Sequence, residues 1–98
     1  MDLETREAYI KKMHEKLSEW NVELEKFKVK ADASMGTMRE EYYKTLNDLR
    51  LRKETLQNKL SRIQGSSSES WSELKEGTER ALIEFRDAIK KAFSNIKE

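Results

Sequence analysis

The 98-residue chain contains no cysteine and no proline, three glycines and a single histidine. Without cysteine there is no disulfide framework, no thiol nucleophile and no thiolate zinc site. Without proline nothing interrupts the backbone donors of a helix, so helices can run long. The glycines stand apart at positions 36, 65 and 77, and a glycine-rich phosphate loop is therefore missing. No run of 18 apolar residues occurs, so no helix is expected to span a membrane. The start, Met1-Asp2-Leu3-Glu4-Thr5-Arg6-Glu7, is acidic and lacks an apolar stretch. No secretory signal is expected, and the cytoplasm is the expected compartment. A formal net charge of only +1 lacks the positive field of a nucleic-acid binder, so no nucleic-acid partner is expected.

What is abundant points one way. Ala, Glu, Lys, Leu and Arg make up 51 of the 98 residues, the share found in coiled coils and long helices. Charged residues reach 40%, against roughly 25% in a typical soluble domain. Both signs alternate closely, which argues against a disordered polyelectrolyte. The expectation is one all-α domain over 1–98 with a thin core.

Apolar residues recur at Ile10, Met13, Leu17, Trp20, Leu24, Phe27 and Ala31, in steps of 3 and 4. That is a heptad seam. It passes Met35, Met38 and Tyr42 and resumes at Leu46, Leu49, Leu56, Leu60 and Ile63, with Lys53 in one core slot. Gly65-Ser66-Ser67-Ser68 then reads as a turn, followed by capping-box spacings Ser66…Glu69 and Ser70…Glu73. A last helix over about 70–97 carries a wider apolar face: Trp71, Leu74, Ala81, Leu82, Phe85, Ala88, Ile89, Ala92, Phe93 and Ile96.

Gly36 decides the architecture. Because the seam runs through it and one glycine costs a helix only about 1 kcal/mol, the expected form is a long coiled-coil helix over 3–64. A turn at 65–69 and an antiparallel C-terminal helix would follow. A helix of about 62 residues is roughly 93 Å long, and its uncovered half would need a second chain. The alternative is a turn at Ser34-Met35-Gly36, with Thr37…Glu40 as a capping box, giving a monomeric three-helix bundle.

Three stretches resemble a known family: Arg6-Glu7-Ala8-Tyr9 followed by Lys16-Leu17-Ser18-Glu19-Trp20-Asn21, Glu41-Tyr42-Tyr43 leading to Leu49-Arg50, and Trp71-Ser72-Glu73-Leu74-Lys75-Glu76-Gly77. On these, spread over nearly the whole chain, the protein resembles small bacterial coiled-coil proteins associated with stress responses. The resemblance implies a long helix, a short turn and a second helix, with no assigned biochemical activity and no catalytic residues to carry over. Ser34-Met35-Gly36-Thr37-Met38 departs from the Lys/Ala-rich helical stretch such a protein would carry there.

Chemistry-bearing residues are sparse. His14 has no second histidine to share a metal, and His14-Glu15-Lys16-Leu17-Ser18 is not a zinc-protease motif. The 19 carboxylates lie on solvated helix faces, with no desolvated pair opposed across a cleft. No catalytic residue, metal ligand or cofactor is expected. Arg50, Arg52, Lys53, Lys59 and Arg62 form a basic cluster that reads as a helix end complementing its dipole.

The expected function is that of a non-enzymatic, self-assembling interaction module, a dimer or larger, with a stress role implied only by the resemblance. Leu17, Trp20, Leu24 and Phe27 would form the assembly seam. Val22, Val29 and Leu51, each two residues past a seam position, would mark a second contact face. Trp71, Leu74, Phe85 and Phe93 would anchor the hairpin. In the alternative reading those four would meet a lipid surface as an amphipathic helix, although that segment carries no excess of positive charge.

Overall fold

A computed structural model describes residues 5–96 of the chain. They form three helices, α1 (Arg6–Ala33), α2 (Gly36–Gln64) and α3 (Trp71–Ser94), in an all-α fold. The continuous helix over 3–64 is not formed, and the chain adopts the three-segment arrangement. The expected helix start at residue 3 and end at Lys97 lie outside the described residues.

Each helix boundary has a local cause. The Thr5 hydroxyl accepts the Ala8 backbone N–H at 3.1 Å and so caps the start of α1. At its end the Ser34 N–H donates to the Ala31 carbonyl at 3.1 Å, and the Ser34 hydroxyl donates to the Lys30 carbonyl at 2.8 Å. Both bonds satisfy carbonyls that the helix leaves open. Ser34 and Met35 are extended, and Gly36 follows at φ +61°. That left-handed conformation costs an L side chain about 1–2 kcal/mol, and it turns the seam back on itself. The capping box at Thr37…Glu40 is not used, because the helix begins earlier at Gly36, after Met35.

Asp32 ties the two sides of this turn. It accepts a hydrogen bond from the Tyr43 hydroxyl of α2. It also lies 3.6 Å from the Lys28 ammonium and 3.9 Å from the Arg39 guanidinium. The second turn is built by serines. The Ser66 hydroxyl donates to the Ile63 carbonyl at 2.6 Å, and the Ser67 hydroxyl accepts the Ser70 N–H at 3.2 Å. Ser70 itself stands at the N-cap of α3 without a side-chain cap bond, so neither serine capping box closes as the spacing predicts. Arg6 reaches from the start of α1 to the Ser66 carbonyl, fastening the second turn to the first helix.

The result is a rod 51 Å long and 20 by 15 Å in section. Its core is Tyr9, Met13, Leu17, Leu24, Phe27 and Ala31 of α1, Tyr42, Leu46, Leu49, Leu56, Leu60 and Ile63 of α2, and Leu82, Phe85, Ile89 and Ala92 of α3. Three seam expectations shift. Tyr9 is buried and Ile10 only partly so, because a straight helix with 3.6 residues per turn drifts from a 3.5-residue repeat. Met35 and Met38 are exposed, since the reversal takes them out of the seam. Thr78 is fully buried, and its hydroxyl donates to the Leu74 carbonyl at 2.9 Å.

A methyl group at Gly36 would meet no atom within 4 Å, so any cost of Gly36→Ala is conformational. Gly36→Ala should lower the unfolding free energy by about 1–2 kcal/mol, measured as a reduced urea midpoint; an unchanged midpoint would contradict a required left-handed turn.

Candidate interaction surface

The three helix pairs are not equivalent. α1 and α2 approach closely along their length, as do α2 and α3, whereas α1 and α3 come close at few points. Ring contacts explain the difference. α1 meets α3 through Tyr9 on Trp71 at 5.9 Å, Trp20 on Phe85 at 5.3 Å and Phe27 on Phe93 at 5.7 Å between centroids. The last two are edge-to-face, the geometry that the ring quadrupole favours. Side chains this large hold the two backbones apart, whereas leucines let α1 and α2 close. Phe27 also meets Tyr42 of α2 edge-on at 5.7 Å, so one ring touches both other helices.

The rungs run parallel, because α1 and α3 point the same way on either side of α2. Toward the far end of the rod they leave a shallow groove of about 420 Å³, lined by Trp20, Ile89 and Phe93, with Glu19 and Glu23 on the α1 side and Arg86 and Lys90 on the α3 side. Trp20 and Phe93 are only partly buried there. Ile83, a heptad before Lys90 on the same flank of α3, is 47% exposed. Glu23 pairs with Lys26 at 3.4 Å and Arg86 with Asp87 at 3.3 Å. Among the described residues no ion pair bridges the groove between these rims.

The residues expected to form an assembly seam fall in different places. Leu17, Leu24 and Phe27 are buried inside the chain, because α2 and α3 cover the face that a continuous helix would have left for a partner. Trp20 alone keeps an exposed edge in the groove. Val22, Val29 and Leu51 are 54, 66 and 63% exposed, and the fold does not unite them. The two valines lie a heptad apart on the outward side of α1, while Leu51 borders Ala81 and Glu84 of α3. Of the hairpin residues, Phe85 is fully buried, and Trp71, Leu74 and Phe93 pack against the core edge. The Lys75 ammonium sits 5.1 Å above Tyr9 and 5.7 Å above Trp71, covering that rung with charge.

The basic cluster divides. Arg52 turns toward α3, where its bond to Asp48 at 2.9 Å and that carboxylate's charge hold the guanidinium still more firmly protonated. Lys53 turns toward α1, and its ammonium donates to the Asn21 side-chain oxygen at 2.9 Å. His14, Leu17, Ser18, Asn21, Lys53 and Gln57 together line a polar window between α1 and α2. His14 is exposed there, and no group of three or more metal-ligating side chains occurs among the described residues.

Sequence reasoning had not singled out Glu23, Arg86, Lys90 or Ile83. Their signal is positional, each lying one residue beside a core position, with acids on α1 and bases on α3. Compared with known proteins, the chain matches no family model, no curated protein and no solved structure.

Lys53 stands at a heptad core position but is only half-buried, its ammonium lying in the polar window between α1 and α2. Lys53→Met should raise the unfolding free energy by about 1 kcal/mol through added apolar burial, read by urea denaturation. A loss of stability would show instead that the Asn21 bond outweighs that burial.

Proposed function

We propose that this chain is a non-enzymatic helical interaction module that self-associates through its α1–α3 face. The observation that carries this reading is the open groove between those helices, floored by Trp20, Ile89 and Phe93, with exposed Ile83 a heptad before the rim residue Lys90. Aromatic and aliphatic side chains left half-covered beside charged rims are the usual composition of a protein contact. The contact face thus differs from a coiled-coil seam: Leu17, Leu24 and Phe27 build the bundle, and the association surface lies over it. The resemblance to bacterial stress-response coiled-coil proteins adds a stress-related role to this reading, and the cytoplasm fits a cysteine-free chain of mixed charge.

Sedimentation velocity over a wide concentration range tests the proposal. A species of twice the 11.6 kDa chain mass should appear as concentration rises. Ile83→Lys, at an exposed position, should weaken that association several-fold with unchanged helix content. An 11.6 kDa species at every concentration would refute self-association. A blue shift of Trp20 and Trp71 fluorescence on liposomes, with the chain monomeric, would point to the lipid-surface reading instead.

A further inference from the structure

We infer that the occupant of the α1–α3 groove is the same groove of a second copy, set parallel about a two-fold axis running along the rods. This rests on the self-association just proposed and specifies its geometry. The charge pattern carries it. Along the groove the α1 rim is acidic, at Glu19 and Glu23, and the α3 rim is basic, at Arg86 and Lys90.

A two-fold axis parallel to the helices sets α1 of each copy over α3 of the other at the same height. Glu19 and Glu23 then face the second copy's basic rim, and Arg86 and Lys90 face its acidic rim, so both contacts are complementary. A two-fold axis perpendicular to the helices through the groove would set α1 on α1 and α3 on α3, with acid against acid and base against base. Only the parallel arrangement brings apolar floor onto apolar floor with favourable rims.

Among the described residues the rims make only short local pairs: Arg86 with its neighbour Asp87 at 3.3 Å and Glu23 with Lys26 at 3.4 Å, both exposed pairs that can be exchanged at little cost. Ile83, 47% exposed and a heptad before Lys90, lies on the α3 flank that this arrangement turns toward the second copy.

Charge reversal of one rim, then of both, tests the geometry by sedimentation velocity, with circular dichroism to confirm that each variant stays helical. E19K/E23K sets lysines against the partner's Arg86 and Lys90 and should raise the dimer dissociation constant about tenfold or more. R86E/K90E should do the same from the other side. E19K/E23K/R86E/K90E should return self-association to near the wild-type level, because the complementarity is restored with its sign inverted. Mixing the two double variants should yield a heterodimer where neither associates alone. The uncharged pair E19Q/E23Q, which adds no repulsion within the chain, should weaken association by a smaller factor.

A wild-type chain that dimerises while either double variant dimerises equally well would overturn this geometry and leave self-association standing. So would a quadruple variant that stays monomeric while helical. A monomeric wild-type chain would overturn both.

Discussion

The reversal at Ser34-Met35-Gly36 is the constraint on which the rest of the molecule depends. A heptad seam running from Met13 to Ile63 has to be covered by something, and with a straight backbone only another chain could cover its full length. The left-handed Gly36, at φ +61°, folds the second half of the seam onto the first. Leu17, Leu24 and Phe27 then meet Leu46, Leu49 and Leu56 inside one chain. Asp32, accepting from Tyr43 beside Lys28 and Arg39, fastens the reversal from both sides. Such exposed contacts are individually weak, so the stability of the reversal comes mainly from the apolar surface that it allows to be buried.

The third helix completes this pair asymmetrically. It lies close against α2, while α1 meets it chiefly through aromatic rungs. Ring size sets the separation of α1 and α3, and the separation leaves the groove over Trp20, Ile89 and Phe93. One feature of packing therefore links the core to the outer surface: the rings that fill the interior also hold open the face through which a second copy is proposed to bind. The polar window around Lys53 and Asn21 lies at the opposite seam, between α1 and α2.

Much of this was legible in the chain. The all-α class follows from composition and heptad spacing, and Leu17, Leu24, Phe27, Leu46 and Leu56 are core at the positions that spacing predicts. The serine-rich turn after Gly65 lies where composition changes. What spacing cannot report is which chain covers the seam. Met35 and Met38 continue the pattern arithmetically although both are exposed, since periodicity is blind to one residue's φ. Tyr9 replaces Ile10 in the core because small differences in helical pitch accumulate toward a helix end. The groove rims were hidden for a further reason. Whether Arg86 or Glu84 faces α1 depends on the side of the α1–α2 pair on which α3 packs, and that choice is made by the whole bundle.

The most direct test of intrachain closure is a distance between the two halves of the seam. The chain has no cysteine, so spin labels at Glu15→Cys and Asn58→Cys would be the only ones present. Both positions are exposed, on α1 and α2 respectively, and an excess of unlabelled chain would suppress distances between molecules. With neighbouring helix axes about 8–10 Å apart, pulsed dipolar spectroscopy should give a separation below about 25 Å. A separation near 65 Å, the span of the intervening residues at 1.5 Å each along one unbroken helix, would contradict the folded seam and everything built on it.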